Sequence, residues 1–184
     1  MRTGRSAIYI IAIAVLALFA SNAPGRAGSA GEINAGVRAT LDQMYRQIPG
    51  TRALAGRAAG ILVFPTIVKA GIGIGGEYGE GAMRVGGRTV AYYNTVAASV
   101  GFQFGAQARS VVIMFMTPDA LVGFRRIDGW KVGVDGSIAL ITVGAGGSID
   151  TDRITSPVIG FILDNKGLMY NLTLEGSKIS RISR

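Results

Sequence analysis

The segment VAYYNTVAASVGFQF, residues 90–104, alternates. Val90, Tyr92, Val96, Ala98, Val100, Phe102 and Phe104 share one parity, while Thr95, Ser99, Gln103 and, just beyond, Gln107 share the other. A period of two is the pattern of an extended strand, here with one face expected to be buried and the other polar or narrow.

Working outward, the apolar run at residues 61–64 starts a strand-rich body that continues through glycine-rich segments to the C-terminus. Residues 111–116 and 138–141 are apolar at every position, which predicts core strands covered on both faces. Residues 158–163 and 168–174, joined by Asp164-Asn165-Lys166-Gly167, read as a hairpin, with a last short strand starting at Ile179. Between strands, Thr117-Pro118-Asp119 supplies a capping hydroxyl, a proline for the first helical position and a first-turn acid, predicting a short helix over 118–124.

Upstream the period changes. Ile33, Val37, Leu41, Met44 and Ile48 recur at steps of three and four, one face of a helix that Pro49-Gly50 ends. A second short helix is expected from an N-cap at Thr51 through Ala59, closed by Gly60. The fold class is therefore α+β: a curled or barrel-like antiparallel sheet with N-terminal helices and one short helix between strands.

The first thirty residues read as a separate appendage. Arg2 and Arg5 precede an apolar run over 7–20, and small residues follow at Ser21, Ala23, Ala27, Gly28 and Ala30, in signal-peptide order. Residues 1–30 are thus expected to be a cleaved signal peptide and residues 31–184 a single domain, exported and periplasmic or envelope-associated. No cysteine follows the apolar run, so lipoprotein processing is excluded.

The chain has 19 Lys and Arg against 11 Asp and Glu, a formal charge of +8. Without Arg2, Arg5 and Arg26 it is +5, a moderate excess that suits an anionic lipid surface. Nucleic acid is not an expected partner. There is no cysteine and no histidine, which removes disulfides, thiolate nucleophiles, the commonest general base and the commonest catalytic zinc ligand. No G-x-S-x-G or S-x-x-K arrangement occurs, and an enzyme is not expected.

Two further motifs decide between binding chemistries. Gly71-Ile72-Gly73-Ile74-Gly75-Gly76 fits the dinucleotide fingerprint, but Glu77-Tyr78-Gly79-Glu80-Gly81 is a poor helix start and no βαβ unit surrounds it. The better reading is a strand whose Gly71, Gly73 and Gly75 face is flat enough for close packing or an acyl chain, with Ile72, Ile74 and Tyr78 on the other side. The acidic pairs Glu77 with Glu80 and Asp150 with Asp152 read as solvated turn acids, so neither metal nor cofactor is expected. Arg38, Arg46, Arg52, Arg57 and Lys69 form the candidate lipid-binding cluster beside the first helix's apolar stripe.

The segments AAGILVFP (58–65), KAG (69–71) and the glycine run to Gly81, then SVGFQFGAQ (99–107), VVIMFMTPDALVGF (111–124), KVGVD (131–135) and the blocks ending at Gly176, resemble in order the SYLF domain. The family usually carries Trp and Pro just before the position of residues 90–93, and this chain has neither. The resemblance implies binding to phosphoinositides or other anionic lipids, with actin binding in eukaryotic members. A chain exported by a bacterium is expected to meet anionic phospholipid or an envelope protein, not actin.

The small-residue region predicts that the exported protein begins between Gly25 and Gly31. N-terminal sequencing of exported protein checks this; a retained Met1 overturns it.

Overall fold

The computed structural model describes residues 28–101, 107–141, 154–164, 167–168 and 174–184. Two helices, α1 (Ala30–Gln47) and α2 (Thr51–Arg57), precede a sheet built from β1 (Gly60–Val85), β2 (Arg88–Gly101) and β3 (Gln107–Phe115). After α3 (Pro118–Arg126) come β4 (Trp130–Lys131), β5 (Ala139–Leu140), β6 (Val158–Asp164), β7 (Gly167–Leu168) and β8 (Lys178–Ile182). The strand order is β4-β8-β2-β1-β3-β6-β5, with β7 paired to β6, in a curled half-barrel. The α+β expectation holds. Pairing is antiparallel except where β5 runs parallel to β6.

β1 carries the architecture. An extended chain rises about 3.3 Å per residue, so the stretch from Val63 to Gly81 would span about 60 Å if straight. Yet Gly81 lies directly on the Val63 carbonyl, and a Cβ on Gly79 would sit 2.7 Å from the Thr66 oxygen. Gly60 likewise meets Met83. β1 therefore doubles back, its first stretch pairing with β3 and its second with β2.

The sheet has two covered faces. On one, Ile33, Val37, Leu41, Met44 and Ile48 of the α1 stripe pack with Leu54 on Val63, Ala82, Val112, Met114, Ile159 and Phe161. On the other, Leu62, Phe64, Met83, Tyr93, Ile113, Phe115 and Ile179 form the inner cluster, closed by Leu121 and Phe124 of α3 and by Trp130. Residues 111–115 are buried throughout, as expected of a strand covered twice.

Several local expectations need correction. In β2 the parity is reversed: Ala91, Tyr93 and Thr95 are buried, whereas Val90 and Val96 are 40% and 47% exposed. The reason is that the odd positions face the inner cluster, where the Tyr93 ring packs at a tilt against Phe124, while α1 covers the even face only near Tyr92. Phe102 and Phe104 lie outside the described residues. Residues 138–141 form not a core strand but a half-buried edge, since among the described residues β5 has a strand partner on one side only. Thr51 is the first residue of α2 rather than its N-cap, because Gly50 takes the cap position at φ 91°. Gly60 opens β1; α2 is already capped at Ala58. The C-terminal hairpin is present where Leu163 pairs with Leu168 and Asp164 with Gly167, and residues 169–173 lie outside the described set. The appendage over residues 1–27 and the Asp150 and Asp152 pair also lie outside it.

Glycines predict opposite responses to one methyl group. Gly81→Ala drives a Cβ into the Val63 backbone, which cannot yield as a side-chain tip would, and is expected to cost about 3 kcal/mol, some 5–10 °C in melting temperature. Gly123→Ala, in α3 with nothing within 4 Å of the new atom, is expected to stabilise by about 0.5–1 kcal/mol. Thermal melts of both variants check the pair.

Candidate functional site

α1 is set at its start by a capping box: Glu32 N–H donates to Ser29 Oγ at 3.2 Å, and Ser29 N–H donates to the Glu32 carboxylate at 2.7 Å. The Ser29 N–H and the Ser29 hydroxyl, which also donates to the carboxylate at 2.8 Å, hold the Glu32 carboxyl below its ordinary value. With the apolar stripe turned to the sheet, Arg38, Asp42 and Tyr45 fall one turn apart along the helix flank. At the other end Thr51 Oγ1 donates back to the Ile48 carbonyl at 2.7 Å, fixing the angle at which α2 leaves. Gly86 and Gly87, at φ 56° and 77°, make the two-residue left-handed turn joining β1 to β2.

These elements enclose a groove of 530 Å³. Its charged lining is Arg38 and Asp42 from α1, Arg52 from α2 and Arg84 from β1; its apolar floor is Leu41, Ala55, Ala58 and Ile61. Arg52 lies over the Tyr45 ring, 4.6 Å from its centre, a cation–π contact that fixes the guanidinium at the rim. Burial raises the Tyr45 hydroxyl against the pull of Arg52 and Arg84, so it stays neutral and able to donate a hydrogen bond. Arg84 donates to the Gly87 carbonyl across the turn. Three cations against one carboxylate, over an apolar floor, suit an amphipathic anion.

The expected cluster is divided. Arg38 and Arg52 come together, Arg46 and Arg57 sit exposed in the last turns of α1 and α2 outside the groove, and Lys69 stands nine residues along β1. There Glu77 accepts from Arg109 at 2.5 Å and lies 4.0 Å from Lys69. Arg84 completes the groove and was not singled out from sequence; the one signal was its place just before the Gly86-Gly87 turn. Gly71, Gly73 and Gly75 lie in β1, with Gly73 opposite Gly101 and Gly75 opposite Ser99, and the surroundings of Gly71 and Gly73 lie outside the described side chains. Close approach in this run is realised at Gly79 and Gly81.

Glu77 and Glu80 are strand residues in ion pairs, not solvated turn acids. Their odd and even positions turn them to opposite faces, so they cannot share a proton or an ion. Glu80 accepts from Tyr78 at 2.6 Å, from Gly28 N–H at 2.9 Å and from Arg184. Among the described residues no group of three or more His, Cys, Asp or Glu side chains gathers to hold a metal ion. No helix among them is long and apolar enough to cross a membrane.

Fold and groove together define an α+β half-barrel domain clasped by N-terminal helices, with an arginine-lined surface groove. Residues 96–183 match the family model described as Ysc84, Las17-binding protein actin regulator, in agreement with the SYLF resemblance of the sequence. The matched stretch runs from the second half of β2 to the end of β8, so it takes in α3 and the later strands, while the two N-terminal helices, β1 and the groove's arginines precede it. No curated protein matches the chain.

Burial pushes the Glu80 carboxyl up, but the hydrogen bonds from Tyr78, Arg184 and Gly28 outweigh it and leave it below 4.5. A depressed carboxyl stabilises the fold above its unfolded value and loses that contribution as pH falls through the folded one. Glu80→Gln is therefore expected to melt lower than the parent at neutral pH, with the gap closing below about pH 4.5. Melting curves of the two at pH 7 and pH 3 check it; a gap that persists unchanged in acid sinks the assignment.

Proposed function

We propose that this chain is a non-catalytic, exported envelope protein that binds anionic phospholipid at the groove between α1, α2 and the β1–β2 turn. The observation carrying this reading is the convergence of Arg38, Arg52 and Arg84 over Leu41, Ala55, Ala58 and Ile61. Guanidinium forks match a phosphate in both charge and shape, and the apolar floor receives the first methylenes of an acyl chain. The Ysc84 (SYLF) domain is compatible with a membrane-surface partner. The family description names an actin regulator, but an exported bacterial protein would not encounter actin, and no actin role is proposed.

A second reading, a structural or assembly role through protein contacts, is favoured by Val68, Tyr78 and Val96. Tyr78 pairs with Val96 in the register of β1 and β2, and each of the three is more than 40% exposed beyond the N-terminal end of α1. Lipid is irrelevant to that role, so vesicle binding separates the two.

Each basic residue near an anionic surface contributes about 1 kcal/mol. Replacing Arg38, Arg52 and Arg84 together by Gln is expected to weaken flotation with anionic vesicles about a hundredfold. Because Arg46 and Arg57 lie outside the groove, Arg46→Gln/Arg57→Gln is expected to lose clearly less. Parent binding should fall as salt rises, since the Debye length is already about 8 Å at physiological ionic strength. Equal flotation of parent and triple variant overturns the groove as the lipid site.

A further inference from the structure

On the α3 side of the sheet lies a larger depression, 700 Å³ in volume, that shares no lining residue with the first groove. Four arginines reach it from separate parts of the chain. Arg125 and Arg126 close the last turn of α3, Arg181 stands in β8 directly opposite Tyr93 of β2, and Arg184 follows β8. Arg184 is already paired with Glu80. Arg125, Arg126 and Arg181 form no ion pair with another described residue, and among the described residues the one acidic side chain lining the depression is Asp128.

The wall beneath these cations is stiff. The Tyr93 ring lies 5.3 Å from that of Phe124, which in turn lies 5.4 Å from Trp130 in an edge-on contact. Tyr93 lines the depression with Arg125 and Arg181, and burial raises its hydroxyl against the pull of those two arginines, so it remains a proton donor. Guanidinium does not lose its proton in the physiological range, so the charge surplus is permanent. Planar donors on a fixed base, in excess over one acidic side chain, suit an anion of two or three charges with tetrahedral oxygens better than a single carboxylate.

We propose that the depression between the end of α3 and β8 is a second anion site that takes a phosphomonoester or pyrophosphate group, carried on a lipid headgroup or on a free molecule. It involves none of the residues proposed to hold phospholipid at the first groove, and it stands or falls separately.

The test uses protein recovered from cells, titrated calorimetrically with inorganic pyrophosphate at about 0.15 M salt so that diffuse attraction is screened. Binding is expected to weaken about tenfold or more in Arg125→Gln/Arg181→Gln, through loss of charge-assisted hydrogen bonds, and to be unchanged in Arg38→Gln/Arg52→Gln. Asp128→Asn removes the competing carboxylate without touching a donor and is expected to bind several-fold more tightly. It keeps the proposal testable if the arginine double variant melts early. A parallel arm uses phosphatidylcholine vesicles with and without phosphatidate. Loss of vesicle binding in Arg125→Gln/Arg181→Gln with no pyrophosphate binding by the parent assigns the site to a lipid phosphomonoester; loss of both assigns it to the phosphate group wherever carried. Pyrophosphate and phosphatidate binding that are both absent, or both indifferent to Arg125, Arg181 and Asp128, overturn the proposal. Flotation of the Arg38, Arg52 and Arg84 variant is read separately and decides the first groove alone.

Discussion

The contact of Gly79 and Gly81 with the backbone of Val63 and Thr66 is the constraint from which the rest follows. Any side chain at Gly81 would hold the two stretches of β1 apart. With them together, one stretch presents its free edge to β2 and the other to β3, and the sheet spreads in both directions from a single doubled strand. The same closeness brings Val63 and Ala82 onto one face, where they form a floor narrow enough for one helix.

That floor decides where charge can go. α1 commits its apolar stripe to the sheet, so the membrane-facing role that an amphipathic helix offers is not open to the stripe itself. What remains available is the flank, and a helix flank repeats every three to four residues, which is why Arg38, Asp42 and Tyr45 line up beside α2. The Gly50 and Thr51 corner then places Arg52 on Tyr45. The groove is a by-product of packing one helix on a doubled strand and turning sharply afterwards.

The elements written in local pattern were legible from sequence: the stripe of α1, the cap and proline of α3, the uniformly apolar β3 and the last strand. The parity of β2 was not, because both of its faces have partner layers. Tyr93 and Ala91 go to the interior and Tyr92 to the helix, so counting apolar residues cannot tell which side is covered. The edge position of β5 was equally hidden, since Ile138 and Leu140 are as apolar as core residues and only the strand order shows that no further described strand lies beyond them. Of the site, Arg38 and Arg52 were legible because helix spacing is local. Arg84 and the Lys69 pairing with Glu77 were not, because both depend on where β1 reverses.

The reversal also explains why acidic residues so close in sequence do unrelated things. Glu77 faces the inner side, where Arg109 and Lys69 meet it from β3 and from the outgoing stretch of β1. Glu80, on the opposite face, anchors the backbone at Gly28 and the side chain of Arg184. One carboxylate thus ties the entry to α1 to the segment after β8, across more than 150 residues of chain. Arg184 is drawn by that bond toward the α1 face, whereas Arg125, Arg126 and Arg181 have no such partner among the described residues and keep their donors turned to the depression. The surplus charge there follows from topology: strand alternation gives Glu80 to one face of the sheet and Arg181 to the other, so the acid that neutralises Arg184 is out of reach of the remaining three.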